Sequence, residues 1–159
     1  MKQKELSIWL RAIVAVIGMT VILLALVYVP NAGKTLVRAA PGTDWLYKPC
    51  LTYVWVTVLP VMAALYLAWK IFSEIGKDNS FCAANARRLK YICYMAVLDT
   101  LLYIIAAFIL AAIDQLHIGI FVIIMCVVFM GVAMSVAAAA LSHLTRKAAD
   151  LKSENDLTI

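Results

Sequence analysis

One acidic side chain, Asp99 in the stretch MAVLDTLLYIIAAF, lies inside an otherwise apolar run and is the residue best suited to chemistry. It follows the start of that run at Leu89 by ten residues, which is roughly 15 Å of helix. At the centre of a bilayer an aspartate costs about 2.5–3.5 kcal/mol on insertion scales. We therefore expect Asp99 to face protein and not lipid. Burial disfavours its charged form, so the neutral acid can donate a hydrogen bond.

Three hydroxyl side chains, together with the Val56 carbonyl that Pro60 leaves without its helical donor, are predicted to meet Asp99 in an intramembrane polar cluster. Thr20 and Ser135 lie at a matching depth in other apolar runs, and Tyr103 follows Asp99 by one helical turn on the same face. Two interpretations stay open. The cluster is either a structural hydrogen bond between helices, worth about 0.6–2 kcal/mol, or a protonatable switch or ligand contact.

Other residues that commonly do chemistry are isolated in this sequence. No HExxH, GxSxG or phosphate-binding loop is present. His117 and His143 stand alone at the edges of apolar runs. The cysteines show neither CxxC nor any other metal-ligand spacing, and they are Cys50, Cys82, Cys93 and Cys126. We predict that the protein is not an enzyme and has no catalytic, cofactor-binding or metal site.

The elements that would position Asp99 are membrane-spanning helices. Of the 159 residues, 65% are hydrophobic and only 14% are charged, with a mean hydropathy of +0.95. A soluble domain of this size could not hide so much apolar surface. Four runs approach or exceed the roughly 20 residues needed to cross a bilayer. The prediction is an all-α, integral membrane four-helix bundle forming one domain, with spans at about 12–29, 51–72, 89–113 and 118–144.

Basic residues gather at alternate ends of these runs. The net charge of +5 is therefore a topology signal and a source of phospholipid contacts, with no direct nucleic-acid binding expected. The positive-inside rule places both termini and loop 73–88 in the cytoplasm, with loop 30–50 outside and 145–159 a polar tail. One side carries Lys2, Lys4, Arg11, Lys70, Lys77, Arg87, Arg88, Lys90, Arg146, Lys147 and Lys152; the other carries Lys34, Arg38 and Lys48.

Small residues recur at every fourth position of the last run, at Gly131, Ser135 and Ala139. Such a stripe lets a neighbouring helix approach closely. The neighbour could be the first span, the third span or a second copy of the chain, so a homo-oligomer stays open.

The run GKDNSFCAANARRLKYI extends from the cytoplasmic loop into the start of the third span, and its pattern predicts a turn followed by the start of a helix. Gly76 suits a helix C-cap, and Asn79 or Ser80 suits the next N-cap. A pure positive anchor needs only charge, whereas this run also holds Phe81 and Asn85. We predict that it is a docking surface for a cytoplasmic protein, with a simple anchor as the alternative.

This run resembles the signature of a small bacterial four-span membrane protein family, catalogued as domain of unknown function 2975. The matching positions are Gly76, Phe81, Asn85, Arg88 and Leu89. Cys82 stands where the family usually has serine or threonine.

The resemblance implies a location in the bacterial cytoplasmic membrane and a context, because genes of such proteins often lie beside one for a small helix-turn-helix regulator. The expected function is therefore a regulatory membrane protein that binds or sequesters such a regulator through its basic cytoplasmic face. The alternative is a small proton-coupled transporter or oligomeric carrier that uses Asp99.

Overall fold

The computed structural model describes residues 3–39, 42–77 and 79–156, and it confirms an all-α protein with four helices long and apolar enough to cross a membrane. Six helical elements follow one another along the chain. They are α1 (Gln3–Leu23), a π-helical segment (Leu24–Tyr28), α2 (Val29–Ala39), α3 (Asp44–Ile75), α4 (Ala83–Ala112) and α5 (Ile118–Asp156).

The first span is longer than predicted, because α1, the π-helical segment and α2 form one continuous helical stretch. The predicted loop 30–50 is therefore mostly helix, with α2 ending at Ala39 and α3 beginning at Asp44. Pro30 lies within this helical stretch, near the start of α2. A proline inside an α-helix meets the carbonyl four residues earlier, here that of Leu26. That carbonyl belongs to the π-helical segment, whose wider turn accommodates the ring.

Helix α5 is also longer than its apolar run. It continues to Asp156, through most of the segment predicted as a polar tail, and its 39 residues span about 58 Å at 1.5 Å per residue. A hydrocarbon core is only about 30 Å thick, so several turns of α5 must extend beyond the core.

The helices pack in the order in which they occur along the chain: α1 against α3, α3 against α4, and α4 against α5. Among the described residues, the most extensive packing is that of α5 against α4. Ile71, Ile92 and Ala138, from α3, α4 and α5, form the main buried cluster. Most other apolar side chains are exposed, as expected for helices surrounded by lipid.

The small-residue stripe of α5 finds its neighbour in α4. A Cβ added at Gly131 would overlap the Thr100 hydroxyl, so glycine permits this approach. The buried alanine is Ala138, whereas Ala139 is exposed. The close neighbour is thus the third span of the same chain.

A five-residue connection, residues 113–117, joins α4 to α5 in a tight hairpin. Asp114 adopts a left-handed conformation with φ of 57°. Its N–H binds Ala111 O at 3.1 Å, and Gln115 N–H binds Leu110 O at 2.9 Å. These two bonds form a Schellman motif, which satisfies the last carbonyls of α4.

Two hydrogen bonds bring several helix ends together at one end of the molecule. Ser7 of α1 donates to Phe72 O near the end of α3 at 2.6 Å, and Ser142 of α5 donates to Ala86 O of α4 at 2.7 Å. The start of α1, the turn between α3 and α4 and the end of α5 therefore lie at this end. We call this the basic end, since most Lys and Arg residues lie there, and the other the opposite end.

Candidate functional site

Gly76 is the C-cap of α3, as predicted, but the reason for a glycine here differs from the expected one. Its φ of −65° lies in the ordinary right-handed region, so no left-handed cap requires glycine. Close packing does: a Cβ at position 76 would lie 2.8 Å from Ser7 Oγ and 3.0 Å from Ser7 Cβ. Gly76 therefore allows the start of α1 to pack onto the turn between α3 and α4.

Asn85 is buried, with 1% of its surface exposed, so it cannot be a docking contact as predicted. Its Nδ2 donates to Ser80 O at 3.0 Å and more weakly to Asn79 O at 3.4 Å. Its Oδ1 accepts from Arg88 Nη1 at 2.8 Å. The side chain thus closes the turn onto the first turn of α4 and holds Arg88 in place. Short amides commonly satisfy turn carbonyls in this way.

The helix N-cap is Cys82, not Asn79 or Ser80 as predicted. Cys82 has an extended backbone (φ −129°, ψ 152°) and makes no side-chain capping bond, and α4 begins at Ala83. Asn85, three residues on, binds backward to the turn carbonyls instead. The missing hydroxyl at position 82 therefore matters less to this turn than Asn85 does.

The remaining signature residues divide between core and surface. Leu89 packs against the buried cluster around Ile92. Phe81 is 59% exposed, and Arg88 is partly exposed. Phe81 is therefore the one exposed member of the five signature residues, whereas Asn85 is buried and the other three are partly exposed.

The intramembrane cluster is not assembled as predicted. Thr20 donates to Val16 O of its own helix at 2.9 Å, and Ser135 donates to Val132 O of its own helix at 2.8 Å. Thr20 is also exposed. Asp99 Oδ1 is buried and has no hydrogen-bond partner among the described residues. The predicted hydrogen-bonded cluster is therefore absent from the described part of the chain, and Asp99 carries an unmet acceptor.

Two residues of α3, neither of them predicted from the sequence to join the cluster, form the polar contacts near Asp99. Thr57 is 2% exposed, and its Oγ1 lies 3.3 Å from the hydroxyl of Tyr103. Tyr53 donates a hydrogen bond to Leu102 O of α4, about one helical turn along the chain from Asp99. The available signal was the 3.6-residue period, which places Tyr53 and Thr57 on one face of α3.

A pocket of about 620 Å³ opens toward the opposite end, above these tyrosines. Its walls come from α2, α3, α4 and α5 and are mostly apolar. Tyr53 and Tyr103 line it, as do Tyr28, Tyr47, Leu110 and Ile124. Apolar walls with a few polar groups are typical of small-molecule sites. The pocket leads to the two tyrosines nearest Asp99.

These features define an α-helical integral membrane protein with four spans, a structured basic turn and one unpaired intramembrane acid. The chain belongs to the family described as "Protein of unknown function (DUF2975)", whose model matches residues 31–159. It is also similar to the "Uncharacterized membrane protein YoaS" of Bacillus subtilis (strain 168), with 33% identity over 156 residues, covering 96% of this chain and 97% of that protein. No solved structure matches the chain.

Proposed function

We propose that the protein is a non-enzymatic regulatory membrane protein of the bacterial cytoplasmic membrane, with its basic end in the cytoplasm. It binds a small helix-turn-helix regulator there and so keeps the regulator from DNA. The positive-inside rule supports the orientation, and the family resemblance supports the kind of partner.

The observation that carries the proposal is the fixed presentation of Phe81. An aromatic side chain with 59% exposure stands on a turn that Asn85 closes with hydrogen bonds to two carbonyls. Exposed aromatic residues on rigid supports are typical anchors of protein interfaces. Because the hydrogen bonds already order this turn, little conformational entropy is lost when a partner binds, and this favours binding.

The extension of α5 supplies the rest of the surface. Residues His143, Arg146, Lys147 and Lys152 are exposed along its last turns, whereas Thr145 is buried. The burial of Thr145 fixes this part of α5 to the rest of the protein. The exposed side chains can then steer an acidic patch of the regulator toward Phe81.

The test is photocrosslinking in cells from a photoreactive amino acid at position 81, followed by pull-down and identification of any bound helix-turn-helix regulator by mass spectrometry. We expect a crosslink from position 81, and we expect Phe81→Ala to remove co-purification. Phe108→Ala is the matched control, because Phe108 is 73% exposed but lies toward the opposite end of α4. Equal loss in both variants, or no regulator in the pull-down, would refute the proposal.

Orientation has its own test. A reporter fused after Lys77 should be accessible only from the cytoplasm. Access from outside would remove the proposed binding surface from the compartment of the regulator.

A second candidate is a small proton-coupled transporter, and the unpaired Oδ1 of Asp99 beside the tyrosines of the 620 Å³ pocket favours it. Intramembrane acids commonly carry protons in transporters. In that case Asp99→Asn should abolish substrate-dependent proton flux in proteoliposomes. Asp114→Asn, an acid in the exposed α4–α5 turn, should leave the flux unchanged.

A further inference from the structure

A second concave site lies at the basic end, on the flank of α4 beside α3. It is a groove of about 300 Å³ lined by Leu67, Lys70, Ala84, Arg87, Arg88 and Tyr91. Half of these residues are cationic, and none of them is acidic. Such a site is electrostatically suited to a phosphate group.

One of these cations, Arg88, is held in position by a hydrogen bond to a buried side chain. Arg88 Nη1 donates to Asn85 Oδ1 at 2.8 Å, and Asn85 is in turn held by the turn carbonyls. Glu74 interacts electrostatically with Arg88, but its carboxylate already accepts a hydrogen bond from Lys77 Nζ at 3.3 Å. A fixed guanidinium loses little freedom when it binds an anion.

Aromatic side chains place the groove at the level of lipid head groups. Tyr91 lines the groove, and Tyr66, Trp69 and Tyr94 are exposed at nearby positions along α3 and α4. Exposed Trp and Tyr gather where the hydrocarbon core meets water.

Cations stack on this aromatic belt, as expected at that boundary. Lys70 Nζ lies 4.6 Å from the ring centre of Tyr66, and Lys90 Nζ lies 5.7 Å from that of Tyr94. Leu67 provides an apolar wall on the membrane side of Lys70. The groove thus meets both the charged and the apolar parts of a phospholipid.

We propose that this groove is a binding site for the phosphate head group of an anionic phospholipid, held by Lys70, Arg87 and Arg88. Basic pockets between transmembrane helices recognise such head groups. The proposal gives Asn85 and Arg88 a joint role, because the buried amide positions the guanidinium for the phosphate. It is independent of the regulator, whose proposed surface is Phe81 and the end of α5.

The proposal is tested by measuring lipid binding to the full chain. Native mass spectrometry is carried out from detergent micelles that contain phosphatidylglycerol or phosphatidylcholine. The wild-type chain should retain phosphatidylglycerol preferentially. Arg87→Gln combined with Arg88→Gln should weaken that affinity by about fivefold for each charge removed.

Lys90→Gln is the matched control, because Lys90 lies on the same helix at a similar depth but outside the groove. It should leave phosphatidylglycerol affinity near that of the wild type. An equal loss in Lys90→Gln would show a diffuse charge effect and would overturn the site. Equal retention of phosphatidylcholine would do the same.

A third arm separates a lipid head group from a free anion. Inorganic phosphate at millimolar concentration should not displace phosphatidylglycerol, and displacement would assign the groove to soluble phosphate. If Arg88→Gln disturbs folding through the lost contact with Asn85, Lys70→Gln with Arg87→Gln removes two exposed cations instead. Unchanged binding in that folded variant would refute the proposal.

Discussion

Replacement of Asn85 by alanine separates the role that the sequence indicated from the role that the structure indicates. A docking contact would leave stability unchanged on truncation and would weaken partner binding. A buried turn residue would lower the free energy of unfolding. The side chain is 1% exposed, so the second outcome is expected.

The magnitude follows from three contacts. Ser80 O loses a donor at 3.0 Å, Asn79 O loses a longer and weaker one at 3.4 Å, and Arg88 loses an acceptor at 2.8 Å. A buried polar group left without a partner costs about 1–3 kcal/mol. Arg88 is partly exposed and can find water, so its loss counts less. We expect Asn85→Ala to destabilise by about 2–4 kcal/mol.

Asn85→Asp sharpens the test. The carboxylate keeps an acceptor for Arg88, but its second oxygen faces the carbonyl oxygens of Asn79 and Ser80, where no donor remains. We expect a loss at least as large as in Asn85→Ala. A neutral or stabilising effect would show that the contact with Arg88 alone matters.

The assay is unfolding of the purified chain in nonionic micelles by titration with sodium dodecyl sulfate, followed by far-ultraviolet circular dichroism. Asn31→Ala is the control, because Asn31 is exposed on α2, and its effect should stay within about 0.5 kcal/mol. An unchanged midpoint for Asn85→Ala would refute the turn-closing role and restore the docking interpretation.

Three further changes test local features of the helices. Cys82→Ser should raise the free energy of unfolding by about 0.5–1 kcal/mol in the same titration. The reason is that a hydroxyl at this extended N-cap can accept a hydrogen bond from a first-turn N–H of α4. A lower free energy of unfolding would refute the cap assignment. Gly131→Ala should lower the free energy of unfolding by about 1–3 kcal/mol, because the new methyl group overlaps Thr100. In a double-mutant cycle, Thr100→Ala should recover part of that loss. Additive effects of the two substitutions would show that the two residues do not touch. Asp114→Gly should stabilise by about 0.5–1 kcal/mol, because glycine adopts the left-handed φ of 57° without strain, and a thermal midpoint below that of the wild type would contradict this.

The sequence supports the candidate site only in part. The signature residues of the turn were identified, and Gly76 was correctly predicted as a C-cap, although its close packing against Ser7 was not foreseen. Asn85 was predicted as a docking contact and is instead buried and hydrogen-bonded to the turn. Thr20 and Ser135 were predicted to lie beside Asp99 because they are at a similar depth in the membrane. Depth alone does not determine which way a side chain points from its helix. Each hydroxyl binds a carbonyl of its own helix. Thr57 and Tyr53 meet α4 because of how α3 is rotated, which no single span reveals.

Local composition alone determined that this protein has four apolar helices, because transfer of each run into lipid depends on the residues of that run and not on its neighbours. The same holds for the short α4–α5 turn and for the concentration of positive charge at one end. The tertiary structure decided which helices touch, that α2 continues the first span past Pro30, that Asn85 is buried, and that Asp99 Oδ1 has no partner among the described residues. These features depend on helix rotation and on contacts between residues far apart in the chain, such as the 65 positions that separate Ser7 from Phe72.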